Sequence, residues 1–135
     1  MKLVSTRIIT ANVESLIRFY EKITGIHAIQ YTPDFAELKT ATATIAIGSI
    51  NTLQFFGGES VARPADNKTA IIEFWVDDVD NEFERLKTYL SSSVVQEPTT
   101  MPWGNRSLLF RDPDGNLINF FTPVAKEAVE KFAAE

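Results

Sequence analysis

The sequence carries an internal repeat. Thr6-Arg7-Ile8-Ile9-Thr10-Ala11-Asn12-Val13-Glu14-Ser15 can be laid on Ile72-Glu73-Phe74-Trp75-Val76-Asp77-Asp78-Val79-Asp80-Asn81 at an offset of 66 residues. Both copies run from a strand pattern into a polar cap and then into a helix pattern. A half of this size is too small to bury a sheet by itself, so the two halves are expected to pack or pair about a pseudo-two-fold.

The local signals inside each copy agree with this. Asn12 has a side chain suited to an orphan N–H of a first helical turn. Val13, Leu16, Ile17, Tyr20 and Ile23 then recur at helical spacing, and Gly25 supplies a stop. In the second copy Asp78 is the cap, and Val79, Phe83, Leu86 and Leu90 carry the apolar stripe. Strand-like runs follow at 28–32, 35–39 and 44–47, and again at 94–95, 107–111 and 117–122. Asp112-Pro113-Asp114-Gly115-Asn116 reads as a hairpin turn, with Pro presetting one dihedral and Gly free to take positive φ. Each half is therefore strand-helix-strand-strand-strand.

The predicted fold is one α+β domain over residues 1–135, made of two βαβββ modules. Module one covers about 1–58, module two about 69–123, and a terminal amphipathic helix about 124–135. Mixed, curved sheets would enclose a concave pocket, with the helices outside; that concavity is the default binding site.

Composition removes much of the usual catalytic chemistry. The chain has no Cys and one His, which excludes a thiolate nucleophile and every site that needs two imidazoles. His27 follows Gly25-Ile26 at a helix exit and reads as a solvated loop residue. A net charge of −5 argues against a nucleic-acid partner. No apolar run is long enough for a membrane span, and no secretory h-region opens the sequence, so the expected address is cytoplasmic.

Five segments resemble the vicinal oxygen chelate superfamily, which includes glyoxalase, the bleomycin-resistance proteins and the extradiol dioxygenases. They are Asn12-Val13-Glu14-Ser15-Leu16-Ile17-Arg18-Phe19-Tyr20, Phe35-Ala36-Glu37-Leu38, Val76-Asp77-Asp78-Val79-Asp80, Trp103-Gly104-Asn105-Arg106 and Phe110-Arg111-Asp112-Pro113-Asp114-Gly115-Asn116-Leu117. The resemblance implies the same paired βαβββ modules. It also implies four metal-ligand positions in the metal-dependent members, at the start of the first strand and the middle of the last strand of each module. Counted from the caps and the turn, these read Ser5, Ile47, Ile71 and Asn119. None offers an imidazole or a carboxylate, so no metal ligand, cofactor or catalytic residue is assigned.

The candidate ligand-binding residues are Arg7, Glu73, Trp75, Trp103, Arg106, Asn119 and Phe121. Ser5, Arg7 and Ile9 share one strand face and Ile71, Glu73 and Trp75 another, each expected to face the concavity. Arg7 and Glu73 are repeat mates, expected as a desolvated pair near the pseudo-two-fold. Trp103 stands between Pro102 and Gly104, where core packing is not the default, and the resemblance puts this segment at the pocket mouth. Arg106 would supply fixed positive charge there. The stretch 48–69 is long and mixed, as in a lid or binding loop, and holds Phe55 and Phe56.

The function implied is a metal-free small-molecule binding protein, similar to the bleomycin-resistance branch, that sequesters an aromatic or polar-heteroaromatic compound as a homodimer. A glyoxalase-like lyase or isomerase or a dioxygenase is the alternative, set back by the four non-ligand positions. A structural or regulatory dimer without a ligand is the third reading.

Overall fold

A computed structural model describes residues 1–133; the last two residues of the expected terminal helix lie outside the described part. Two compact units emerge, Met1–Asn67 with Pro113–Gly115, and Lys68–Asp112 with the chain from Asn116 onward. Each holds a four-stranded mixed sheet, and neither sheet closes into a barrel.

In the first unit β1 (Ser5–Thr10) leads into α1 (Val13–Thr24), followed by β2 (Ile29–Thr32), β3 (Phe35–Lys39) and β4 (Thr44–Ser49). The strand order is β1-β4-β3-β2, with β1 parallel to β4 and the rest antiparallel. The second unit repeats this with β5 (Ile71–Trp75), α2 (Val79–Leu90), β6 (Val94–Thr100), β7 (Asn105–Arg111) and β8 (Leu117–Pro123) in the order β5-β8-β7-β6. A further helix, α3 (Lys126–Ala133), closes the described chain. No described helix is long and apolar enough to cross a membrane.

The caps form as the side chains dictate. Asn12 accepts from the Ser15 N–H at 3.0 Å and Asp78 from the Asn81 N–H at 3.1 Å, so the repeat extends to its hydrogen bonds. Gly25 ends α1 at φ +70°, a conformation that costs a glycine little. Asp112 accepts from both the backbone N–H and the side-chain amide of Asn116, which knots the β7–β8 turn.

Strand alternation splits each sheet into two faces. In the second unit Leu108, Phe110, Ile118 and Phe120 are buried on the helix side, as are Val79, Leu86 and Leu90 of α2. Phe120 meets both Phe74 and Phe110 edge to face, at 5.4 and 5.1 Å. In the first unit Ile8, Ile45, Ile47, Ala36 and Leu38 are buried, with Leu16, Phe19, Tyr20 and Ile23 of α1. The opposite faces are left for function.

Two sequence expectations shift. β6 reaches Thr100 rather than stopping at Val95, taking in Pro98. β6 ends its sheet, and an edge strand tolerates a residue without an N–H. The first part of the 48–69 stretch forms a short 3-10 helix, Ile50–Phe56, instead of an open loop.

Candidate functional site

On the face of the second sheet opposite α2, β5 and β8 run parallel with Glu73 opposite Asn119 and Trp75 opposite Phe121. Register partners point to the same side, so these four side chains share one face. Asn119 Nδ2 donates to Glu73 Oε2 at 2.8 Å. Asn119 is only 8% exposed, and its Oδ1 is buried without a hydrogen-bond partner. The orientation of the amide is set by Glu73: turned over, Oδ1 would face a carboxylate oxygen. The orphan acceptor is therefore built in, and leaving it unpaired costs about 1–3 kcal/mol.

An aromatic strip adjoins this pair. The Phe132 ring of α3 lies 5.3 Å from Trp75 and 5.2 Å from Phe121. Phe121 is buried, while Trp75 stays 56% exposed despite that contact. The helix that brings Phe132 there is anchored at Gly104, whose carbonyl accepts from the Val124 and Ala125 N–H groups. A Cβ on Gly104 would stand 2.7 Å from Ala125 Cβ, so the close approach requires a glycine, as does its φ of +94°.

The remaining candidate residues are dispersed. Trp103 is exposed on the β6–β7 turn, at the end of the sheet where β5 and β8 finish. Arg106 points to the helix side and grips Asp80 of α2, Nε at 3.0 and 3.2 Å and Nη2 at 3.1 Å from the carboxylate oxygens. Its fork is thus engaged away from the Asn119 face. Arg7 belongs to the first unit, where its guanidinium lies over the Phe35 and Phe56 rings at 4.7 and 5.3 Å. Arg7 and Glu73 are both exposed, so neither is desolvated as the repeat led one to expect; within its own unit Arg7 lies over two rings and Glu73 accepts from Asn119. His27 is fully solvated, with Nδ1 3.5 Å from Glu21 Oε2.

Three contacts are not legible in the sequence: Phe132 on Trp75 and Phe121, Asp80 on Arg106, and Phe56 under Arg7. Phe132 was legible only as one apolar residue of a short amphipathic helix. Asp80 stands 26 residues from Arg106, beyond any local pattern. Phe56 lies in the stretch that reads as a lid or binding loop, and its place beside Arg7 is set by the 3-10 helix.

The sheet register corrects one of the four family ligand positions. Glu73 faces Asn119 as Arg7 faces Ala46, so the module-one mate of Asn119 is Ala46. Ile47 pairs with Ile8 and is buried on the helix side, one residue away and on the wrong face. The positions then carry a hydroxyl (Ser5), a methyl (Ala46), an aliphatic chain (Ile71) and an amide (Asn119). That donor set does not fit a divalent transition metal, which needs imidazole, thiolate or carboxylate.

Comparison with known proteins agrees with the architecture. The family model described as the Glyoxalase/Bleomycin resistance protein/Dioxygenase superfamily matches residues 2–120. The uncharacterized protein YwbC of Bacillus subtilis (strain 168) is 29% identical over 119 residues, covering 86% of this chain and 93% of its own. A glyoxalase/bleomycin resistance protein/dioxygenase from Nocardioides superposes with a TM-score of 0.77 at 18% identity, over 93% of this chain and 85% of that one. A family enzyme of the same description from Burkholderia phytofirmans PsJN gives a TM-score of 0.81 at 16% identity, over 92% of this chain and 100% of that one. The repeat, the shared strand order of the two sheets and the family match together place the chain in the glyoxalase/bleomycin resistance protein/dioxygenase superfamily.

Proposed function

We propose that the protein is a metal-free small-molecule binding protein, similar to the bleomycin-resistance branch, that sequesters a polar-heteroaromatic compound. The observation that carries this reading is the buried, unpartnered Asn119 Oδ1 beside the Glu73 carboxylate. A ring N–H donated to Oδ1 would relieve the orphan, and the carboxylate would favour a positively polarised ring. The exposed part of Trp75 offers a stacking surface next to that pair. Binding of this kind needs no nucleophile and no Lewis acid. The reading includes a cytoplasmic homodimer; β2 and β6 end their sheets with unpaired edges that a second copy would shield.

Benzimidazole and its N-methyl derivative test it. Calorimetric titration should give saturable binding of benzimidazole, weakened at least tenfold (about 1.4 kcal/mol) by N-methylation, with the compound recovered unchanged. Equal affinity for the two compounds would remove Asn119 Oδ1 from the site. A lyase, isomerase or dioxygenase is the competing reading, since the Burkholderia relative is described as an enzyme. Turnover that a chelator abolishes and a divalent metal restores would establish that reading instead.

A further inference from the structure

We propose that module one carries a site for the carboxylate of an aromatic acid, built on Arg7. Arg7 Cζ lies 4.7 Å above the Phe35 ring and 5.3 Å from the Phe56 ring. Tyr31 stacks on Phe35 at 6.0 Å and 29°. Two rings thus hold the guanidinium in place. Among the described residues Arg7 makes no hydrogen bond and no ion pair. This holds although Glu37 stands on the same sheet face, two strands away across Ala46. The guanidinium has settled on the rings, with its five donors available.

The platform is preorganised. Asp34, next to Phe35, accepts from Ser49 Oγ at 2.7 Å and from Asn51 Nδ2 at 3.2 Å. Ser49 in turn caps the 3-10 helix that ends in Phe56. Both rings therefore hang from one hydrogen-bonded knot. Gly48 leaves room for the arginine stem: a Cβ there would touch Arg7 Cδ at 3.7 Å and Thr52 Oγ1 at 3.0 Å.

The chemistry left open selects the ligand. A planar fork of donors matches a planar oxyanion with two parallel hydrogen bonds. Phe56 and Tyr31 are 59% and 53% exposed, an apolar surface at the edge of the cation that an aromatic ring would cover. Glu37 and the net charge of −5 disfavour a multiply charged phosphate, whereas a single delocalised carboxylate charge is tolerated. Ring plus carboxylate satisfies both halves. The Arg7 cluster of module one takes a negative charge, whereas the Asn119–Glu73 pair of module two favours a positive one, so the carboxylate reading does not depend on a ligand at that pair.

The probe is 2-naphthoate, titrated into the intact protein by calorimetry and by NMR of the Arg7 Nε–Hε resonance. Saturable binding with a shift of that resonance is expected. Arg7→Met should weaken it at least tenfold. Arg7→Lys, which keeps the charge and loses the fork, should weaken it several-fold, and so should Phe56→Leu at an exposed position. 2-Naphthylmethanol, with the ring and no carboxylate, should bind at least tenfold more weakly. Arg18→Met, which removes an exposed cation of α1, should leave 2-naphthoate affinity within twofold, which separates the Arg7 fork from charge in general. No saturable binding up to millimolar concentration overturns the proposal. So does affinity unchanged in both Arg7→Met and Arg7→Lys, or affinity lost as much in Arg18→Met as in Arg7→Met.

Discussion

A buried acceptor without a donor is a standing cost to the free protein, and that makes Asn119 testable apart from any ligand. Asn119→Leu removes the orphan Oδ1 and keeps a similar volume, but it also removes the bond to Glu73 Oε2. The two effects oppose, so the stability measured by denaturant unfolding should change by no more than about 1 kcal/mol. Benzimidazole binding should fall at least tenfold in the same variant. A large loss of stability would show that the amide is a structural bond rather than a waiting one. Arg106 makes the opposite case. Its pair with Asp80 is bidentate but open to solvent, with side-chain exposures of 32% and 58%. Arg106→Ala should cost at most about 1 kcal/mol and leave benzimidazole affinity unchanged. Weaker binding in that variant would return Arg106 to the site. Asn119 could be found in the sequence because the Asp112–Asn116 turn fixes the strand that follows it. Arg106 was read for its charge alone, and its partner on α2 is set by packing.

At the scale of elements, α3 depends on very few contacts. It has eight residues, and of its described side chains only Ala128 is fully buried, with Phe132 half-buried against Trp75 and Phe121. A helix of that length is not stable by itself, so docking holds it. Gly104→Ala would force a Cβ to 2.7 Å from Ala125 Cβ at a backbone φ of +94°. It should destabilise by on the order of 1–3 kcal/mol, and the loss should show first as faster amide exchange in α3 and a red-shifted tryptophan emission. Unchanged exchange would mean that the turn absorbs the methyl without strain. Helix starts and stops were legible because caps are local: Asn12 and Asp78 each bond three residues ahead. The end of β6 was not, since whether Pro98 breaks a strand depends on whether its N–H side faces a neighbour. The 3-10 helix at Ile50–Phe56 was missed for a related reason. Its N-terminus is fixed by Asp34, fifteen residues from Ser49 and seventeen from Asn51.

For the whole molecule, the proposed homodimer predicts a light-scattering mass of two chains at micromolar concentration, and a monomer mass throughout that range would exclude it. The architecture itself was readable in advance. The repeat at an offset of 66 residues required two like units, and the strand orders β1-β4-β3-β2 and β5-β8-β7-β6 are the same path drawn twice. Side-chain alternation was equally legible, because a period of two follows from the backbone: Ile8 and Thr10 are buried while Arg7 is exposed. Register was not. The expected mate of Asn119, Ile47, lies one residue from Ala46, and that single step moves a side chain through the sheet. Nor could the sequence assign partners to its charged residues. Arg7 rests on Phe35 and Phe56, Glu73 is held by Asn119, and Arg106 by Asp80. Local chemistry determined caps, turns, faces and the repeat, since each depends on residues within a few positions of one another. Only the tertiary structure decided which side chain each cation and carboxylate would meet, because those contacts join strands and helices far apart in the chain, brought together by burial of the two cores.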